Sequence, residues 1–119
     1  MKVLQMLNRF YVSDMDAALA FYEKLLNQKC AVRFRYGEAG LELAQIADIL
    51  ILAGSDDALS PFIDTKATFV VDSIDEFKDF LLDHSAVIVR DAKQVPTGVN
   101  MTVRHADGTV VEYVEMKNR

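Results

Sequence analysis

Few side chains in this sequence could do acid, base or nucleophilic chemistry. The chain has two histidines, His84 and His105, and one cysteine, Cys30. A single cysteine excludes an intrachain disulfide and a zinc site built on cysteines. No serine, histidine and aspartate pattern, cysteine and histidine pattern or glycine-rich phosphate loop is evident. We expect Cys30 to be a small buried apolar residue rather than a nucleophile.

Both histidines are predicted to have structural roles. His84 falls where the second long helix should end, so its ring should interact with the last carbonyl groups of that helix. His105 precedes an Ala-Asp-Gly turn and should be a surface residue beside it. Neither position favours a metal ligand or a catalytic base.

Four polar residues within predicted strands could bind a small molecule: Arg9, Tyr11, Lys66 and Glu112. The two cations suit a ligand with a carboxylate or phosphate, and Tyr11 could stack on a flat ring or form a hydrogen bond. Glu112 could neutralise Lys66, or could accept a proton from a substrate if it lies in an apolar site. The sequence also allows the alternative that these side chains are merely exposed at strand edges.

The elements that must position these residues occur twice in the same order, strand, helix and three strands. Shifting the sequence by 59 positions places Met15 on Ile74 and Phe21 on Phe80, which indicates an internal repeat. The pattern predicts an α+β fold of two βαβββ modules that form a cupped mixed sheet with helices on the outside. We expect one domain, 1–119, with modules at about 1–54 and 66–119 and a linker at about 55–65. The predicted strands are 3–12, 30–36, 41–47, 49–53, 66–71, 86–90, 100–105 and 109–116, and the predicted helices are 15–27 and 74–83.

Local signals mark the ends of these elements. Ser13-Asp14 should cap the first helix and Asn27 should end it. Ser73 and Glu76 fit a capping box at the second helix. Because strand side chains alternate, Phe10 and Val12 should pack under the first helix, which leaves Arg9 and Tyr11 on the opposite face.

Composition excludes several classes of function. Hydrophobic residues make up 51% of the chain and the net charge is −5, which argues against non-specific nucleic-acid binding. The N-terminus has no signal-peptide pattern, and the longest apolar stretch, 49–54, is too short to span a bilayer. We therefore predict a cytoplasmic protein that binds neither membranes nor nucleic acid.

Two segments resemble the vicinal oxygen chelate superfamily, which includes glyoxalase, bleomycin-resistance proteins and extradiol dioxygenases. FYVSDMDAALAFYEKLL at 10–26 is similar to the first strand, turn and helix of that superfamily. VRHADGTVVEYVE at 103–115 is similar to its Asp-Gly hairpin and closing strand. The resemblance covers nearly the whole chain and implies the fold rather than a particular chemistry.

The resemblance also implies where a metal would bind. Metal enzymes of the superfamily take a ligand from the first strand of each module and a glutamate from the last strand. The corresponding residues here are Leu7, Lys66 and Glu112. Leucine has no donor atom and lysine is cationic at neutral pH, so we predict no bound metal and no other cofactor.

These observations favour a metal-free small-molecule binding protein of the glyoxalase or bleomycin-resistance type. The alternatives are a metal-dependent lyase, isomerase or dioxygenase with an atypical site, and a domain that only associates with a partner. A homodimer is expected, because modules of this superfamily often pair across chains and open sheet edges are best covered.

Overall fold

The structure is a computed structural model that describes residues 1–117. Its elements follow the predicted order of strand, helix and three strands, twice. The predicted α+β class with two βαβββ modules and a mixed sheet is confirmed. The strands are β1 (Val3–Val12), β2 (Val32–Tyr36), β3 (Leu41–Ile46), β4 (Ile49–Ala53), β5 (Thr65–Val71), β6 (Val87–Val95), β7 (Gly98–Arg104) and β8 (Val110–Met116), and the helices are α1 (Met15–Leu26), α2 (Asp56–Leu59) and α3 (Ile74–Asp83).

Two segments differ from the sequence prediction. The expected linker at 55–65 contains the short helix α2, whose N-cap Ser55 accepts a hydrogen bond from the backbone N–H of Ala58 at 3.1 Å. The loop expected around Pro96 is a tight turn, because β6 continues to Val95 and β7 starts at Gly98. Both differences lengthen regular structure where small and polar residues had suggested a break.

The chain divides into two compact units, and β1 contributes residues to both. One unit is Asn8–Asp64, in which the strands follow the order β2-β3-β4-β1. β1 and β4 are parallel, whereas the other neighbours are antiparallel. One face of these strands packs on α1 through an apolar core formed by Met15, Leu19, Ala44, Ile46, Ile51 and Ala53.

The other unit, which we call the second unit, is Met1–Leu7 with residues 65–117. Its strands follow the order β1-β5-β8-β7-β6, and β5 and β8 are parallel. Lys2 and Asp72 exchange backbone and side-chain hydrogen bonds where β1 starts and β5 ends. Helix α3 covers one face through a core formed by Val71, Ile74, Phe77, Leu81, Met101, Val103, Val111 and Tyr113.

The helix caps mostly follow the prediction. Asp14 accepts a hydrogen bond from Ala17 N–H at the start of α1, and Asn27 ends that helix in the left-handed conformation, with φ 53°. Ser73 caps α3 by accepting from Glu76 N–H at 3.2 Å. The Glu76 carboxylate lies 2.8 Å from the amino group of Met1, an ion pair that the expected capping box did not include.

Replacing Ser73 with alanine is expected to lower the free energy of unfolding by about 0.5–2 kcal/mol, the usual cost of a lost N-cap acceptor. Urea unfolding of the two proteins measures the difference. Ser13→Ala is the matched control, because Asp14, not Ser13, caps α1. Equal losses in the two variants would contradict the assigned cap.

None of the helices in residues 1–117 is long and apolar enough to cross a membrane. The predicted cytoplasmic location and homodimer stay predictions.

Candidate functional site

In the second unit, the strand face opposite α3 carries polar side chains. Met101 and Val103 of β7, and Val111 and Tyr113 of β8, belong to the core under α3. Residues between them point to the other side, because successive side chains of a strand alternate. We call this other side the open face of the second unit, meaning the face that α3 does not cover.

Four residues form a row across the open face, one from each of four neighbouring strands. Thr68 of β5 pairs with Glu112 of β8, Glu112 pairs with Thr102 of β7, and Thr102 pairs with Arg90 of β6. Directly paired residues share a face, with Cβ atoms about 5 Å apart. We call Thr68, Glu112, Thr102 and Arg90 the polar row. Neighbouring strands are about 4.8 Å apart, so the row extends over about 14 Å.

One end of the polar row is a hydrogen bond between Thr68 and Glu112. The Thr68 hydroxyl donates to Glu112 Oε1 at 3.1 Å, and Thr68 is only 3% exposed. Glu112 is half-buried. A carboxylate in this position can accept hydrogen bonds from ligand hydroxyl or amine groups.

The other end is the guanidinium of Arg90, which is half-buried. Its Nη2 donates to Asn100 Oδ1 at 2.6 Å and to Thr102 Oγ1 at 3.3 Å. Its Nη1 donates to the backbone carbonyls of Asp91 and Asn100, both at 3.3 Å. The side chain is thereby directed across β7, towards Thr102.

Lys66 does not belong to the polar row. It is exposed, and the pairing of β5 with β8 is irregular at this point, since Thr65 pairs with Val110 and Ala67 with Val111. Its neighbour Thr65 is 8% exposed. An extra residue in one strand turns its side chain out of the regular alternation on which the sequence prediction relied.

Arg9 and Tyr11 lie in the other unit, on the face opposite α1 as predicted. Phe10 contacts Tyr22 of α1, with ring centroids 5.4 Å apart. Arg9 Nη1 donates to Tyr11 Oη at 3.0 Å, and Tyr11 Oη donates to the Phe62 carbonyl at 2.6 Å. The structure thus joins Arg9 with Tyr11, and Glu112 with Thr68. That all four predicted residues line one concavity stays a prediction.

The residues at the superfamily's metal positions do not fit a divalent cation. Leu7 is 2% exposed and has no donor atom, and Lys66 carries a positive charge. Among residues 1–117, no group of three or more histidine, cysteine, aspartate or glutamate side chains could hold a metal. Glu112 by itself falls short of the three or four protein ligands that transition-metal sites use.

The structural role predicted for His84 is confirmed, because its Nδ1 lies 2.7 Å from the Phe80 carbonyl in the last turn of α3. His105 flanks the predicted turn, but its Nε2 lies 2.6 Å from Tyr113 Oη, so it also contacts the core. Cys30 is half-buried against the α1 core, and its thiol donates to the Val32 carbonyl at 3.2 Å. None of these residues lies in the polar row.

A surface depression of about 450 Å³ lies beside α1 in the unit Asn8–Asp64. Arg33 lines it and pairs with two carboxylates, Asp16 at 2.7 Å and Glu42 at 3.3 Å from Nη2. The hydrogen bonds that Arg33 donates to Glu42 and, to a lesser extent, to Asp16 raise the pKa of Arg33, and the bond from Arg33 lowers the pKa of Glu42. The charge of Arg33 is thus already neutralised, so this guanidinium is not available to an external anion.

Sequence reasoning identified Glu112 but missed Thr68, Thr102, Arg90 and Asn100 as its companions. Asn100 and Thr102 alternate in sequence with the buried Met101 and Val103. The alternation of β7 was a usable signal. No such alternation could have identified Arg90, because the register of β6 against β7 shifts on both sides of this residue.

Solved structures of similar shape cover nearly the whole chain. An uncharacterised protein from Methanosarcina mazei is 52% identical, with a TM-score of 0.89 over 100% of this chain and 97% of that one. Methylmalonyl-CoA epimerase from Mycobacterium tuberculosis is 19% identical, with a TM-score of 0.77 over 96% and 89%. The epimerase of Streptomyces coelicolor, solved as its E43L variant with 2-nitronate-propionyl-CoA, is 15% identical, with a TM-score of 0.76 over 98% and 97%.

No model of a known protein family matches the sequence. No curated protein matches it either. The epimerase structures share the fold with this chain, and at these identities the likeness extends to the fold alone.

Proposed function

We propose that this chain binds a small molecule without a metal, because it belongs to the same family as the uncharacterised Methanosarcina mazei protein, has the vicinal oxygen chelate fold, and carries Leu7 and Lys66 at the metal-ligand positions of that fold. The ligand lies on the open face of the second unit. The observation that carries this proposal is the polar row, in which Glu112 is bonded to Thr68 and adjoins Thr102. That Arg9, Tyr11 and Lys66 contact a ligand stays a prediction from the sequence.

The chemistry of the row supports binding rather than simple solvation. Val70 and Val114, the next residues along β5 and β8, are 7% and 6% exposed and pair with each other. Polar groups beside a buried apolar surface are typical of ligand sites, where the apolar part supplies affinity and the polar groups fix orientation. Thr68 is only 3% exposed because protein atoms already cover it, so a ligand would contact the half-buried Glu112, Thr102 and Arg90.

A thermal-shift screen with a metabolite library tests the proposal, since binding to the native state raises the melting temperature. Glu112→Gln should weaken the hits by about tenfold to a hundredfold, the usual effect of losing a hydrogen bond to a charged group. Glutamine keeps an oxygen that can accept from Thr68, so the fold should be retained. Isothermal titration calorimetry with wild type and variant measures the change.

Glu38→Gln is the matched control, because it removes one negative charge from an exposed residue outside the second unit. Its ligand affinity should equal that of wild type. If the compounds found in the screen bind wild type and Glu112→Gln with the same affinity, the assignment of the site to the open face is wrong.

The residues at the metal positions lead to a further expected result. Wild-type protein washed with chelator and then offered Zn²⁺ should retain no stoichiometric metal, because Leu7 has no donor atom, Lys66 is cationic and Glu112 supplies a single ligand. Elemental analysis after gel filtration measures the metal content. Stoichiometric metal on the wild type would contradict a metal-free function.

A second candidate is a metal-dependent isomerase, which the methylmalonyl-CoA epimerase neighbours favour. An assay of methylmalonyl-CoA epimerisation, with and without added divalent metal, discriminates the two. Turnover that depends on Glu112 would favour the enzyme, while binding without turnover would favour the small-molecule binding protein.

A further inference from the structure

The charge of Arg90 has no carboxylate partner in residues 1–117. All four of its hydrogen-bond acceptors are uncharged oxygens, on Asp91, Asn100 and Thr102, and the acceptor on Asp91 is the backbone carbonyl. Two other cations of the chain, Arg33 and Lys78, do have carboxylate partners. Arg33 pairs with Asp16 and Glu42, and Lys78 lies 2.8 Å from Asp91 Oδ1.

A half-buried cation without a counterion is costly, because desolvation penalises its charge. Only the bond to Asn100 Oδ1 is short, at 2.6 Å, whereas the other three are 3.3 Å long. Bonds of that length lie outside the usual range for N–H···O contacts and are weak. An anion could replace these weak acceptors while Asn100 keeps the guanidinium in place.

The rest of the row adds a constraint on the ligand. Arg90 and Glu112 lie on strands separated by one strand, β7, so their backbones are about 10 Å apart. A planar guanidinium favours two-oxygen groups such as carboxylate and phosphate. Thr102, between them, can donate or accept a hydrogen bond.

We infer that the ligand of the open face is a small anion whose carboxylate or phosphate group binds Arg90, held by Asn100 and Thr102. This inference rests on the proposed function, because it concerns the same site. The chemical class of the ligand is an acid or phosphate ester that extends along the polar row towards Glu112.

The alternative role for Arg90 is structural. The register of β6 against β7 shifts between Ile88 and Arg90 and again between Arg90 and Lys93, and the bonds of Arg90 to backbone carbonyls could stabilise this irregular strand. Loss of stability in an Arg90 variant would therefore not prove an anion site. The test needs a variant that keeps Arg90 but occupies its guanidinium, so that an external anion can no longer bind there.

Asn100→Asp is that variant. It puts a carboxylate on the position that already accepts from Arg90 Nη2, with almost no change in shape. The resulting ion pair should preserve or raise stability, while it competes with any external anion for the guanidinium. A purely structural Arg90 would tolerate this change with no effect on anion binding.

The experiment titrates wild type, Arg90→Gln, Arg90→Lys and Asn100→Asp with succinate and, separately, with inorganic phosphate. Sodium chloride at equal ionic strength is the reference, and melting temperature and calorimetric affinity are the readouts. Wild type should bind at least one of the two anions. Arg90→Gln and Asn100→Asp should bind it roughly tenfold or more weakly, the effect of losing a charged hydrogen bond. The anion affinity of Arg90→Lys should lie between those of these two variants and that of wild type, because lysine keeps the positive charge but loses the planar, two-pronged donor group of arginine.

Arg33→Gln is the matched control, because it removes an arginine that is already paired, and its anion affinity should equal that of wild type. Wild type that responds to neither anion beyond chloride, or Asn100→Asp that binds as tightly as wild type, would overturn the inference. If Arg90→Gln does not fold, Asn100→Asp decides the result. If uncharged library compounds bind in a way that depends on Glu112, the proposed function holds but the inference of an anionic ligand does not. If no compound depends on Glu112 and neither anion binds, the proposed function and the inference are both overturned.

Discussion

Replacing Gly98 with alanine is expected to lower the free energy of unfolding by about 2–6 kcal/mol. Gly98 is buried at the start of β7 with φ +149°, in a region that residues with a side chain rarely adopt. A Cβ added there would lie 2.0 Å from the Glu115 carbonyl oxygen. Backbone strain of about 1–3 kcal/mol and overpacking of about 1–3 kcal/mol both apply. The partner is backbone of β8, which cannot rotate away.

Substitutions at two other glycines separate the contribution of backbone strain from that of overpacking. Gly108→Ala imposes a positive φ, +93°, without any neighbour within 4 Å, so it should cost about 1–3 kcal/mol from strain alone. Gly37→Ala has neither problem and should change stability by less than about 0.5 kcal/mol. Urea unfolding of the three variants gives the order. A Gly98→Ala protein as stable as Gly37→Ala would contradict the described pairing of β7 with β8.

Alkaline solution is expected to destabilise the protein through Tyr113. This residue is 3% exposed, and burial raises the pKa of Tyr113 to about 12. Its ring packs edge-on against Phe69 with centroids 5.6 Å apart. The folded protein therefore holds the neutral phenol to a higher pH than the unfolded chain, whose tyrosines titrate near pH 10.

The direction of the effect follows from these two pKa values. The stability that the neutral phenol contributes is complete below pH 10, and it is lost as the pH rises from 10 to about 12. The expected loss over that window is about 2–3 kcal/mol, at 1.4 kcal/mol for each tenfold change in an equilibrium constant. Chemical unfolding at pH 8 and pH 11.5 measures it.

Tyr113→Phe is the control for this pH dependence. The variant loses the contact with His105 Nε2, which should cost about 0.5–1.5 kcal/mol at neutral pH. Between pH 10 and 12 it should then lose less stability than wild type, because it has no phenol at this position. Lysines titrate in the same range in both proteins, so their contribution cancels. Equal losses in wild type and variant would exclude Tyr113 as the responsible group.

The sequence by itself determined the order of the elements and most of their ends. The apolar spacing of α1 and α3 is local, and so are the side-chain caps at Asp14 and Ser73. Interactions between residues three or four positions apart do not depend on the rest of the fold. The identity of Leu7 and Lys66 likewise excluded metal ligands at those positions without any coordinates.

Only the tertiary structure decided which polar side chains are neighbours. Thr68 and Glu112 are 44 positions apart in the chain, and their hydrogen bond depends on the parallel register of β5 with β8. The irregular pairing at Lys66 and the register shifts around Arg90 cannot be read from alternation, since one extra residue reverses the face of every side chain that follows. The sequence therefore identified Glu112 as a candidate, while the pairing of strands distant in sequence brought Thr68, Thr102 and Arg90 into one row beside it.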